Sequence, residues 1–314
     1  MNNLLLKTSP ENQGACLLVL GVSIFGFADN LTLMVSDQVG VGQFHFSRSI
    51  ITLALVVIFS HIFGYSLRPK LWRPLLARTG FIVFAMLLYF SVIPMMPIAE
   101  AGAGLFTSPI FVLLFSSFLF KEKIGWRRTF AVFIGTIGVL LIIQPGLGGF
   151  SIYHLLPVLS GASYALGSII TYRYLSNESP MAILFSFLLA IGLCGALVSS
   201  AFTIYPVSNV FQQKAPFLFS GWRPLEASFW TWITIIAICT FLALSLMTKA
   251  YQIAKTSYAA IYEYAYLLSA GVFSWAFWNI TPNIMGFWGI MLIVIAGIVI
   301  ALAQQDNCDI RGQR

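Results

Sequence analysis

The sequence predicts an all-α integral membrane protein of ten transmembrane helices, arranged as two inverted five-helix repeats around a central cavity. Three observations predict it: a composition too poor in charge for water, ten long apolar runs, and a one-sided distribution of lysine and arginine. Of 314 residues, 59% are hydrophobic and 9% are charged, where a soluble domain is about a quarter charged. Phe, Trp and Tyr reach 15%, which suits interfacial belts and aromatic-lined cavities. The net charge of +7 points to cytoplasmic loops facing anionic lipid. No basic run is long enough for a nucleic-acid patch, so nucleic acid is not an expected partner.

A helix crosses the hydrocarbon with about 20 apolar residues. Such runs lie at 14–35, 44–64, 75–93, 97–120, 128–144, 153–174, 180–203, 229–250, 257–279 and 284–303. They are continuous, unlike the shorter alternating segments of a β-barrel. The first run is too long for a signal-peptide core and carries Asp29, so it reads as a retained helix. With both termini in the cytoplasm, fourteen lysines and arginines fall inside, among them Arg68, Lys70, Arg73, Arg78, Lys121, Arg127 and Arg128. Arg48, Lys214 and Arg223 remain outside. This bias favours a multi-pass inner-membrane protein with both ends inside. The longest outer loop, about 204–228, carries Phe211, Phe217, Trp222 and Arg223 and is expected along the outer interface, with a lid as the alternative.

The two halves resemble each other. Leu20 to Ser36 aligns with Ser160 to Ser176, placing Gly21 on Gly161, Ser23 on Ser163 and Ser36 on Ser176. Ile98-Ala99-Glu100 falls on Ile253-Ala254-Lys255, and Gly138 on Gly297. Five helices are an odd number, so the second half must enter the membrane in the opposite sense. Inverted repeats of this kind build a central site open alternately to each side. The expected division is 1–150 and 151–314.

The chain resembles the EamA-like branch of the drug/metabolite transporter superfamily over nearly its whole length. The resemblance rests on Phe46-Ser47-Arg48, on Ile98 to Arg128 with Pro109 and Glu122, on Gly135 and Gly138, and on Ala259 to Asn283. It departs near the end of the ninth run, where Trp278 or Asn279 stands in place of a frequent acid. The resemblance implies a ten-helix, two-repeat fold with a central solute cavity, and it leaves the substrate open.

A charge at mid-bilayer costs roughly 2.5–3.5 kcal/mol on insertion scales. Asp29, Arg48 and Glu100 therefore need a reason. They are expected either as an ion pair tethering helices, Arg48 with Asp29 or Glu100, or as cavity groups touching solute or a coupling proton. Glu263 is the leading site residue. Tyr258, Tyr262 and Tyr266 are spaced by four and share a helix face, with Glu263 at its edge. Their hydroxyls suit a buried carboxylate, their rings suit a planar or cationic ligand, and burial penalises the charged carboxylate, which suits proton coupling. A structural carboxylate capped by Lys249 or Lys255 is the alternative. Pro109 frees the Leu105 carbonyl, and with Ser108 and nearby glycines it makes the fourth helix easy to interrupt. The repeat alignment sets Ser108-Pro109 opposite Glu263-Tyr264.

Gly135-x-x-Gly138 and Gly286-x-x-Gly289 are close-packing faces, within the chain or as a homodimer seam. Cys16, Cys194, Cys239 and Cys308 lack paired spacing, and His45, His61 and His154 are isolated, so no metal, disulfide or cofactor is expected. No nucleotide loop is present. The function expected is a secondary active or facilitative carrier of a small organic metabolite, such as an amino acid, vitamin, nucleobase-like compound or amphipathic amine. A membrane-embedded enzyme or a scaffold is the alternative, and no nucleophile or acid pair stands out for the first.

Overall fold

The computed structural model describes residues 9–92, 104–105, 107–122, 124–143, 155–208, 210, 212, 216–279 and 284–312. Among the described residues, ten helices of eleven or more residues follow in chain order: α1 Pro10–Thr32, α2 Val41–Phe63, α3 Trp72–Val92, α4 Ser108–Phe118, α5 Trp126–Ile143, α6 Leu155–Tyr174, α7 Pro180–Ile204, α8 Ala227–Ile253, α9 Ala265–Trp278 and α10 Ile284–Gly312. Five of them, α1, α2, α6, α7 and α8, are each long and apolar enough to cross a membrane.

Local chemistry sets the ends. Ser9 caps α1 by accepting from the Asn12 N–H at 3.3 Å, with Pro10 opening the first turn. Gly64 ends α2 in the left-handed region at φ 69, where a side chain would be strained. Pro109 sits in the first turn of α4, where a missing N–H leaves no bond unmade. The ninth run is not one helix. A single turn, Thr256–Ala259, passes into a 3-10 segment, Ala260–Tyr264, before α9 begins.

Contacts fix the running directions. A Cβ on Gly14 would strike Ala254, and one on Gly21 would meet Met247, so α1 and α8 are antiparallel. Gly42 meets Gly195 and Ser199 while Gly192 meets Ser49, which makes α2 and α7 antiparallel. Ser160 and Ser163 donate to the carbonyls of Ala85 and Phe81 at 2.7 and 2.8 Å, setting α6 against α3. Phe44 packs with Phe229, and Phe59 with Phe241, so α2 runs with α8. Leu75 packs with Ile183, and Thr79 bonds Ser186 at 2.9 Å, so α3 runs with α7. It follows that α6, α7 and α8 run opposite to α1, α2 and α3 respectively.

The main pairs are α1 with α8 and α9, α6 with α3 and α4, α2 with α7, α5 with α10, α8 with α2, and α3 with α7. Replacing each helix by the one five places along maps this set of pairs onto itself. Small residues permit the closest approaches. A Cβ on Gly42 would lie 2.6 Å from the Gly195 carbonyl, and one on Gly138 would lie 2.7 Å from the Gly289 carbonyl. The second contact places the glycine faces of α5 and α10 against each other within one chain.

Two side chains fasten loops at opposite ends. Gln43, 2% exposed, donates to the Arg223 carbonyl at 2.8 Å and accepts from its N–H at 2.9 Å. Glu178, 5% exposed, accepts from the N–H groups of Lys70 and Leu71 at 2.7 and 3.1 Å. Trp222 packs edge-on against Phe46 and donates from its indole N–H to Ser200. The described part of the 204–228 loop is thus fastened to α2 and α7, and none of it lines the cavity described below. The outward faces carry Ile62, Phe118, Phe133, Leu193 and Leu197, all exposed. Water rarely meets an apolar surface of this extent, and lipid accommodates it.

Candidate functional site

The helices line a central cavity of about 260 Å³. Its walls come from α1, α2, α3 and α4 on one side of the sequence, and from α6, α7, α8 and the 3-10 segment with α9 on the other. The apolar lining includes Val22, Phe25, Ile82, Met86, Phe187 and Leu244. Polar groups gather toward its two ends, because α1 ends and α2 begins at one end while α8 ends at the other.

At the first end Asp29 accepts a hydrogen bond from the Tyr266 hydroxyl at 2.6 Å. Arg48 Nη2 lies 3.0 Å from His45 Nδ1, and its guanidinium stands 5.1 Å from the centre of the Phe44 ring. Asp29 acts on Arg48 electrostatically, yet no ion pair within 4.0 Å joins them among the described residues. The tether expected between these two is not closed. Glu100, the other expected partner, lies outside the described residues.

At the second end sits Glu263, 6% exposed. Its carboxylate accepts from Ser108 Oγ at 3.2 Å and from the Tyr251 hydroxyl. Tyr164 adds a further hydrogen-bond interaction with it. Three helices, α4, α6 and α8, thereby converge on one carboxylate of the 3-10 segment. The lysine caps, Lys249 and Lys255, do not supply these bonds. Pro109 is buried beside Ser108 in the first turn of α4, and Ser108 rather than Pro109 reaches the cavity.

The tyrosine stripe departs from expectation. Tyr266 lines the cavity, but Tyr262 does not; it packs among Leu113, Ala131 and Ile261 on one side and Leu18 and Tyr251 on the other. The cause is the 3-10 segment. At 3.0 residues per turn it advances about 120° per residue against about 100° in an α-helix, so the four-residue spacing no longer keeps one face. The side chain of Tyr258 lies outside the described residues.

Sequence reasoning missed several liners, among them Tyr89, Tyr164, Tyr251, Arg78 and His45, the last isolated in the sequence but placed beside Arg48. Tyr251 and Tyr164 come from α8 and α6, where a tyrosine in an apolar run carries no signal of its own. Arg78 was assigned to a cytoplasmic flank, and the structure places it within α3 as a cavity liner. The helix begins at Trp72, so Arg78 lies about 9 Å along it at 1.5 Å per residue. Tryptophan as an interfacial marker was the signal available. Among the described residues, no group of three or more His, Cys, Asp or Glu is placed to hold a metal ion.

Residues 12–144 match the model of the EamA-like transporter family. The chain is 28% identical to the riboflavin transporter of Brucella anthropi, over 67% of this chain and 69% of that one. It is 25% identical to the pseudopaline exporter CntI of Pseudomonas aeruginosa, over 92% and 96%. It is 24% identical to the S-adenosylmethionine uptake transporter of Rickettsia bellii, over 87% and 86%. A solved protein crystal structure superposes with a TM-score of 0.75 at 17% identity, covering 93% of this chain and 98% of that one; this likeness is one of fold.

Proposed function

We propose that this chain, which matches the EamA-like transporter family over residues 12–144 and resembles transporters of the drug/metabolite transporter superfamily, is a member of that family and carries a small organic metabolite across the bacterial inner membrane by alternating access. It is a multi-pass membrane protein, and small-molecule transport is what its relatives' names have in common. In this reading ten spans form two inverted repeats, 1–150 and 151–314, with both termini cytoplasmic. Support comes from the packing pairs that survive the five-helix exchange and from the opposed directions of α1–α3 and α6–α8. Transport is secondary active or facilitative, driven by solute gradients or by protons.

One observation carries the reading. A cavity lined by both halves of the chain holds Asp29, Arg48, Arg78 and Glu263. Ionisable groups at membrane depth persist where protein surrounds a wet passage. Asp29, Arg48, Tyr266, Ser108 and Glu263 then contact solute or coupling ion, with Pro109 shaping α4 beside Ser108. Glu100 belongs to the same proposal from sequence, and Tyr262 supports the segment from behind. Amino acids, vitamins, nucleobase-like compounds and amphipathic amines suit a cavity of this size that is both aromatic and charged.

Uptake into proteoliposomes tests the proposal. Purified protein is expected to accumulate or exchange at least one radiolabelled member of a panel of amino acids, riboflavin, S-adenosylmethionine and nucleobases. No flux above empty vesicles for any member would contradict it.

A further inference from the structure

Arg78 stands out among the cavity's charged groups because, among the described residues, no carboxylate lies within 4.0 Å of it and only Tyr164 acts on it electrostatically. Its Nε donates to Thr171 Oγ1 at 3.4 Å, a long bond for an N–H donor. Nη1 is buried and has no acceptor among the described residues. The ion pairs of the described residues join Arg128 and Arg173 to Glu122, and none involves Arg78. Glu263 is not its partner, since that carboxylate is turned to Ser108 and Tyr251. Arg48 differs: Asp29 acts on it electrostatically and His45 lies at 3.0 Å.

A guanidinium keeps its proton under any physiological condition. Half-buried, with Nη1 fully covered and only Tyr164 acting on it electrostatically, it carries a poorly compensated charge that is costly to the fold. An arginine held only for packing would gain from replacement by an apolar side chain. Arg78 instead borders open volume, bonded to Thr171, in a cavity whose lining also includes the hydroxyls of Ser168 and Thr248. The Phe187 ring lies 5.8 Å from its central carbon.

We propose that Arg78 is the anion subsite of the central cavity and receives the carboxylate of the transported solute. The inference rests on the carrier reading above and narrows its substrate class. A carboxylate is planar with two acceptor oxygens, which match the parallel donors of a guanidinium. It would satisfy Nη1 and neutralise the charge together. A neutral solute leaves the charge unpaired, and a cationic one is repelled.

Matched acid and amide pairs test this: L-phenylalanine with L-phenylalaninamide, nicotinate with nicotinamide, and indole-3-acetate with indole-3-acetamide. Binding to the full chain in nanodiscs is measured by calorimetric titration and thermal shift. In at least one pair the acid is expected to bind tenfold or more tighter than its amide. Arg78→Met should abolish that preference, and Arg78→Lys should keep only part of it. Ligand-free Arg78→Met should unfold at or above the wild-type temperature, because a poorly compensated cation is gone. Equal affinity for acid and amide, or a preference that survives Arg78→Met, would overturn the subsite while leaving the carrier reading intact. A fall in ligand-free stability in both variants with the preference unchanged would assign Arg78 a structural role. Binding of no member of any pair by a protein that still carries a member of the proteoliposome panel would overturn the subsite and leave the carrier reading intact.

Discussion

Glu263 gathers hydroxyls from three helices that are not its own, Ser108 of α4, Tyr251 of α8 and Tyr164 of α6. A change in its charge is therefore felt by all three. A hydrogen bond to a charged group is worth about 1.5–3 kcal/mol, roughly twice a neutral one. Glu263→Gln keeps the volume and removes the charge. It is expected to lower flux in proteoliposomes about tenfold and to abolish the dependence of flux on pH, with the chain still folded by size-exclusion profile. Flux that keeps its wild-type pH dependence would argue against coupling at this residue. Tyr266 is the matching case at the other end, bonded to Asp29 at 2.6 Å. Tyr266→Phe removes the donor and leaves a carboxylate short of a partner. Thermal unfolding in detergent should show a loss of about 1.5–3 kcal/mol; an unchanged midpoint would mean that the bond adds nothing to stability.

At the scale of elements, the 3-10 segment Ala260–Tyr264 is the departure that matters. It turns Glu263 into the cavity and Tyr262 out of it, and its tighter turns mark a place where a helix can hinge. The remaining elements are held by packed apolar side chains and, at the closest crossings, by small residues that let backbones approach. In α2 and α7, Gly42 and Gly195 each leave room for the other's carbonyl. Gly42→Leu has no space to enter and is expected to give protein that fails to run as a single species on size exclusion. Gly80→Ala meets nothing within 4 Å, and it should express and unfold like the wild type. Normal behaviour of Gly42→Leu would show that α2 and α7 are not packed as described. These pairings also bear on legibility. Apolar runs disclose the elements because lipid demands them, but which glycine meets which carbonyl depends on helix pairing across more than a hundred residues. The 3-10 turn was hidden for a related reason: Ala-Ile-Tyr-Glu-Tyr reads as α-helix locally, and only its surroundings tighten it.

For the whole molecule, the pairing of α1 with α8 and of α6 with α3 expresses one rule applied twice in opposite senses. The sequence pointed toward such a repeat through Gly21 with Gly161 and Ser23 with Ser163, which preserve their order in both halves. Asp29 and Glu263 were legible as candidate cavity liners because an acid in an apolar run is costly and needs a partner or a wet void, and both line the cavity. Arg78 was not, because it follows Arg73 closely and resembles a flank that anchors a helix end. Tyr164 and Tyr251 were not, because the carboxylate they serve lies on another helix. The central claim is that the cavity opens in turn to each face of the membrane. Ser168 lines that cavity. Placing the single substitution Ser168→Cys in a chain whose four native cysteines are replaced, and adding a membrane-impermeant thiol reagent to either side of sealed vesicles, tests the claim directly. Modification from both sides is the expected result, and modification from one side alone, or from neither, would contradict it.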